Sequence, residues 1–169
     1  MIVSNETIVK ELFHVKRSGG GSSSFDLETF LPYRLSVTTN RVSRAFAAQY
    51  EQEFGISIPE WRAIAVLGAF APLSSNQICE RTAMDKAKVS RAVASLLKRG
   101  LIAREAHRTD QRLIQLTLSK AGRKIYEAII PRARAIEAQV TRGLSKADIA
   151  QLHKALDRIG ARLDEIESG

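Results

Sequence analysis

The stretch Leu73–Thr117 limits what this chain can become more than any other. It reads LSSNQICERTAMDKAKVSRAVASLLKRGLIAREAHRTDQRLIQLT. Its pattern predicts a short helix, a tight turn, a second helix, and two strands joined by a basic loop. In the second helix, Lys86 to Arg99, Val89, Val93, Leu96 and Leu97 share one face, and Lys86, Lys88, Ser90, Arg91 and Lys98 occupy the other. A helix with an apolar stripe and a polar face buries the first and presents the second. The presented side chains are those that DNA recognition uses: Arg and Lys for guanine edges and phosphates, Ser for either. The loop His107–Arg112 sets Arg108 and Arg112 at the tip of the hairpin.

Charge falls in the same place. Eight basic residues between Lys86 and Arg112 stand against two acidic ones, leaving +6 of the chain's +8 in about a sixth of its length. Positive charge concentrated on one pair of elements is the electrostatic footprint of a polyanion partner. A solvated basic surface is the plainer alternative. An isoelectric point near 10.0 favours nucleic acid over acidic small molecules.

The remaining elements follow from caps and periodicity. Residues 1–17 carry a weak helical pattern (Ile8, Leu12, Val15), and Ser18–Ser24, SGGGSSS, has the composition of a flexible linker. A first long helix is expected from the region Thr29–Pro32 to Gly55, with Leu35, Val42, Phe46 and Phe54 along one stripe. Ser57 and Glu60 form a capping box for a helix reaching Phe70, with Trp61, Ile64, Leu67 and Gly68 inward. Trp61 suits the core; the sharper alternative puts it in an effector pocket. Ser74 and Gln77 cap a short helix, Ser75–Thr82, whose N-terminal amides suit a phosphate. Asp85 is placed to cap the basic helix. Leu101–Ala106 and Leu113–Leu118 read as strands, the latter with the two-residue alternation of a half-buried one. Ser119 opens a helix to Thr141 that Pro131 should kink or divide. In the last helix Ile149, Leu152, Leu156, Ile159, Leu163 and Ile166 recur every three or four residues. Little chain remains to cover that seam, so a two-fold dimer is expected, with two basic helices about 34 Å apart, one DNA turn. A monomer whose last helix folds back on its first is the alternative.

Other functions find little support. His14, His107 and His153 lie far apart without cysteine or acidic partners at metal-ligand spacing, and Gly19–Gly21 lacks the Lys-Ser or Lys-Thr of a phosphate loop. No enzyme, metal or cofactor is expected. No apolar run approaches the roughly 20 residues of a membrane span, and the N-terminus lacks a secretory pattern. The single cysteine, Cys79, cannot close an internal disulfide. A cytoplasmic protein is therefore expected. A winged-helix protein-interaction module that never touches DNA is the competing non-enzymatic reading.

The helix order, ISIPEWRAIAVL, DKAKVSRAVASLLKRGLIAR, the wing DQR and the exit LTLSKAGRKIYE together resemble the MarR family of bacterial regulators, from Leu31 to the C-terminus. The resemblance implies a mainly α fold with a small β-hairpin wing: a winged helix-turn-helix lobe joined to a helical dimerisation lobe. On that reading residues 1–24 are an arm and linker, 25–56 the first helix of the dimerisation lobe, 57–119 the DNA-binding lobe and 120–169 the C-terminal dimerisation helices. It implies a homodimer on a pseudo-palindromic operator of double-stranded DNA, usually repressing transcription. Lys86, Lys88, Ser90 and Arg91 would then enter the major groove and Arg112 the minor groove. Asp110 would brace Arg112, Arg108 would meet a phosphate, and Ser75 would lie at the backbone. Small aromatic or carboxylate effectors often release such proteins from DNA; Tyr33, Phe46 and Trp61 are the candidates to line that pocket. Cys79 lies outside the start of the first helix, where the peroxide-sensing branch keeps its cysteine, so a buried structural thiol is expected.

Overall fold

A computed structural model describes residues 25–106 and 114–169. Helices α1 (Leu31–Ala47), α2 (Glu51–Phe54), α3 (Ile58–Phe70), α4 (Ser75–Thr82) and α5 (Lys86–Lys98) precede strands β1 (Ile102–Ala106) and β2 (Ile114–Leu118), which α6 (Lys120–Val140) and α7 (Lys146–Ser168) follow. The described residues form two compact units, one up to Arg132 and one from Ala133 to Gly169, and the boundary falls one residue beyond Pro131. Helix α6 runs continuously through that proline, so the proline does not divide it.

The first unit is built on α3, whose Ala63, Ile64 and Leu67 are fully buried. Against them lie Ile78 of α4 and Val89, Val93 and Leu96 of α5, all in one apolar core. Burying each large aliphatic side chain is worth roughly 1.5–3 kcal/mol, so this three-helix contact dominates the lobe. The caps fix where its helices begin. Ser74 accepts from the Gln77 amide at 3.2 Å while its own amide donates to Gln77 Oε1 at 2.8 Å. Asp85 Oδ1 accepts from the Lys88 amide at 2.7 Å. Between α4 and α5 the chain turns through Ala83 with φ of +50°, a left-handed conformation that a Cβ disfavours.

β1 and β2 pair antiparallel, Ile102 opposite Leu118 and Ala106 opposite Ile114. Leu73, just before α4, adds a one-residue third rung. It exchanges bonds with Leu116, whose amide donates to the Leu73 carbonyl at 2.8 Å and whose carbonyl accepts from the Leu73 amide at 3.1 Å. The hairpin is thus tied to the mouth of α4. Gly100, with φ of +66°, ends α5, and Ser119 bonds back to that turn through its hydroxyl on the Gly100 carbonyl (2.7 Å). Gly122 lets α6 start there: a Cβ at this position would lie 1.9 Å from the Leu101 carbonyl oxygen.

Two features depart from sequence expectation. The helix expected to run to Gly55 ends at Ala47, and a three-residue turn separates it from α2. The apolar stripe predicted across Phe46 and Phe54 survives the break because both side chains still pack on the core. Tyr50, inside the turn, is 1% exposed and anchors it. Burial raises the Tyr50 phenol to about 12, with the Glu51 carboxylate adding to the rise and Arg62 opposing it.

The second departure is a polar lock inside the core. Glu60, which caps α3, is only 6% exposed. Its Oε2 accepts from the Ser57 amide (2.8 Å) and hydroxyl (2.7 Å), and its Oε1 accepts from Ser95 Oγ of α5 at 2.6 Å. Arg99 closes the set, its Nη1 3.5 Å from Oε1. Burial pushes the Glu60 carboxyl up, but the Ser95 and Ser57 donors and the Arg99 charge outweigh it and hold the group below the usual carboxylate range. In the second unit, Ser145 and Asp148 cap α7 in the same box pattern, the Ser145 amide donating at 2.8 Å. Leu152, Leu156, Leu163 and Ile166 of α7 are exposed.

Two stability predictions follow from these contacts. Ala83→Gly relieves a left-handed alanine worth about 1–2 kcal/mol of strain against a gain in unfolded-state entropy worth about 0.4–1 kcal/mol, so denaturant melts should show roughly 0.5–1 kcal/mol of stabilisation. For Glu60 the folded state holds the pKa below its unfolded value. Its contribution is therefore present above the unfolded pKa and is lost as pH falls through the folded one. Thermal melts should show the wild type losing stability on acidification through the carboxylate range. Glu60→Gln should start less stable at neutral pH and lose less; parallel acid limbs would contradict the assignment.

Candidate nucleic-acid interface

Helix α5 presents the functional surface because its other side is committed to the core. Val89, Ala92, Val93 and Leu96 recur at three- and four-residue steps and are buried. Rotating that stripe inward leaves Lys86, Ser90, Arg91 and Lys98 exposed. Lys86 and Ser90 are one turn apart, and Arg91 and Lys98 two turns apart, so these side chains form two adjacent rows on the side away from the core. Lys88 is partly covered: its ammonium pairs with Asp85 Oδ2 at 3.2 Å. That carboxylate is held below its ordinary range first by the Lys88 amide and then by the Lys88 side chain and charge. Lys88 therefore starts from an ion pair with the residue that caps its own helix. Ser75 is exposed at the first position of α4.

Arg99, counted in the positive charge of this stretch, stays exposed, but its guanidinium is tied to the protein's own backbone. Its Nη1 donates to the Gly55 carbonyl at 2.9 Å and its Nη2 to the Phe54 carbonyl at 2.8 Å, besides pairing with Glu60. The charge at the end of α5 thus serves the backbone of the α2–α3 turn. Periodicity offered one signal for this lock: Ser95, a hydroxyl on the flank of the apolar stripe next to Leu96.

Arg108, Asp110 and Arg112 of the loop between β1 and β2, with His107, lie outside the described residues, as do residues 1–24 with His14. The strands that carry the loop are described, and Arg104 on β1 is exposed.

The three aromatic residues expected at an effector pocket differ in exposure. Tyr33 is exposed in the first turn of α1. Phe46 and Trp61 pack against the core. The Trp61 ring lies 5.7 Å from that of Tyr50 and stacks at 6.3 Å on that of Tyr126, which in turn covers Gly68. Gly68 leaves room for this: a Cβ there would meet the Tyr126 ring at 2.3 Å. Trp61 is thus part of an aromatic layer between α3 and α6. Cys79 is buried, and burial pushes its thiol up, which suits an inert core residue. Among the described residues no cluster of His, Cys, Asp and Glu could hold a metal ion, and no helix is long and apolar enough to cross a membrane.

Comparison with known proteins matches this architecture. The model of the MarR family covers residues 54–113, which contain α3 to β1 and the wing loop. A curated relative, the HTH-type transcriptional regulator BilQ of Clostridium symbiosum (strain WAL-14163), is 27% identical over 109 residues, 64% of this chain and 76% of its own. A probable transcriptional regulator from Pseudomonas aeruginosa is 33% identical with a TM-score of 0.67, covering 79% of this chain and 99% of its own. A MarR/EmrR family transcriptional regulator from Acinetobacter sp. ADP1 is 27% identical with a TM-score of 0.77, covering 83% of this chain and 99% of its own. With its helix-turn-helix, its paired wing strands and these relatives, the chain belongs to the MarR family of winged-helix, DNA-binding transcriptional regulators.

Proposed function

We propose that this chain works as a homodimeric, sequence-specific repressor in the cytoplasm, binding a pseudo-palindromic operator in double-stranded DNA. The observation that carries the reading is the one-sided exposure of Lys86, Ser90, Arg91 and Lys98 on a helix whose opposite side is locked into the core. Helix α5 enters the major groove, with Lys86, Lys88, Ser90 and Arg91 at its N-terminal half reading base edges and phosphates. Ser75 at the start of α4 meets the backbone. At the wing, Arg112 enters the minor groove braced by Asp110, and Arg108 meets a phosphate. An arginine there reads groove width and potential more than base identity.

Dimerisation is supported by α7. Its exposed Leu152, Leu156 and Leu163 lie on a seam that continues to Ile166 at alternating three- and four-residue steps. Such a seam needs another helix to cover it. Two fold relatives, each under 25% identical, were solved for what those proteins bind. One, from Listeria monocytogenes (TM-score 0.75), is complexed with 26mer DNA. The other, Bordetella bronchiseptica BpsR (TM-score 0.71), has its DNA binding regulated by 6-hydroxynicotinic acid. By analogy a small aromatic or carboxylate effector releases this protein from DNA, with Tyr33, Phe46 and Trp61 as the candidate lining. It does so only through unequal affinity for the bound and free states.

Selection of bound duplexes from a random pool tests the reading. It should enrich an inverted repeat with half-sites about one helical turn apart. On that duplex Arg91→Ala and Arg112→Ala should each lose roughly 1–3 kcal/mol, about five- to 150-fold in affinity. A pool that shows no enrichment, or variants that bind as the wild type does, would refute it.

A further inference from the structure

We infer that Arg99 and Glu60 are positioning residues for DNA recognition: they set the angle at which α5 is offered to the groove, and Arg99 makes no phosphate contact of its own. The inference rests on the DNA-binding reading above and concerns a cation that its place in the basic stretch would otherwise assign to the DNA.

The geometry is a three-point fastening. Arg99 follows the last residue of α5 and grips the carbonyls of Phe54 and Gly55, the end of α2 and the left-handed residue after it (φ +59°). Glu60, at the first turn of α3, takes Ser95 from the body of α5 and Arg99 from its end. The remaining carboxylate oxygen is filled by Ser57. Glu60 is the one buried charged side chain among the described residues. The apolar stripe of Val89, Val93 and Leu96 also holds α5 in the core.

Apolar contacts, however, are non-directional and tolerate small rotations and slips. Hydrogen bonds to a fixed carboxylate and two fixed carbonyls do not. Arg99 sits at the far end of α5 from Lys86, with Arg91 about midway. Over thirteen residues the helix is ~20 Å long, so a tilt of ~10° pivoting at Arg99 moves the reading end by ~3 Å. That exceeds what a base-edge contact can absorb. A guanidinium suits the task because its planar fork meets several acceptors in fixed directions, which an ammonium cannot do.

The test uses the full chain, the duplex selected from the random pool and a scrambled duplex of equal length, over a salt series. The variants are Arg99→Lys, which keeps the charge and loses the fork; Arg99→Gln, which loses both; Ser95→Ala, which changes no charge; and Arg91→Ala as a comparator. Circular dichroism at the assay temperature identifies folded variants, and Ser95→Ala carries the test should either Arg99 variant not fold.

Arg99→Lys and Arg99→Gln should both lose about tenfold on the selected duplex and almost nothing on the scrambled one. Their slopes of log affinity against log salt should stay at the wild-type value, with a smaller loss of the same kind for Ser95→Ala. Arg91→Ala should flatten the slope by about 0.9 for each lost phosphate contact. The inference is overturned if Arg99→Lys binds like the wild type while Arg99→Gln flattens the slope as Arg91→Ala does, the signature of a phosphate contact. It is equally overturned if folded Arg99 and Ser95 variants all keep wild-type affinity on the selected duplex. A wild type that does not distinguish selected from scrambled duplex would remove the DNA-recognition reading itself, and this inference with it.

Discussion

The fit of one apolar stripe into one groove governs this molecule. Val89, Ala92, Val93 and Leu96 can be buried together only if α5 lies along α3 and α4 in a single rotational setting. The positions between them must then face water, and those are Lys86, Ser90, Arg91 and Lys98. The basic surface is therefore a consequence of core packing rather than an independent feature. At roughly 1.5–3 kcal/mol for each large side chain buried, that packing far exceeds the 0–1 kcal/mol of a typical exposed ion pair. Mutual repulsion among the surface cations is too weak to turn the helix over.

Packing sets the rotation, and polar contacts refine it. The carboxylate of Glu60 joins the first turn of α3 to the last turn of α5, and Arg99 extends the link to the α2–α3 turn. Leu73 and Leu116 join the hairpin to the start of α4, and Gly122 lets α6 begin against the turn that ends α5. Each link lies between elements that are not neighbours in sequence, and those of Arg99 and Leu73 use backbone carbonyls or amides. The lobe is in this sense a rigid mount for α5 and the strands that carry the wing. A buried carboxylate adds less to stability than apolar residues of equal volume often would, and its directional bonds are what it contributes instead.

Much of this was legible in the sequence because caps and apolar spacing are local signals. Ser57, Ser74, Asp85 and Ser145 stand where helices α3, α4, α5 and α7 begin, and the bounds Ser75–Thr82 were readable residue by residue. The break between α1 and α2 was not, since Phe46 and Phe54 keep helical spacing across it and the buried Tyr50 that anchors the turn carries no local mark. Nor was the tie of Arg99 to the backbone: a basic residue at a helix end looks alike whether its partner is a phosphate or the Gly55 carbonyl forty-four positions away. The one-residue rung at Leu73 left no period to detect. On the candidate interface, the sequence identified the exposed cations of α5. It could not tell that Lys88 begins paired with Asp85, because a capping residue serves the backbone and a neighbouring ammonium with the same carboxylate.

The central claim is that the cationic side of α5 meets the DNA and the basic residues of α7 do not. Acetylation of lysines in the presence and absence of the selected duplex, read residue by residue by mass spectrometry, measures this directly. Lys86 and Lys88 should be protected by the duplex while the exposed Lys146 and Lys154 of α7 react as before. Equal reactivity of Lys86 and Lys88 in the two conditions, or protection confined to α7, would contradict the account.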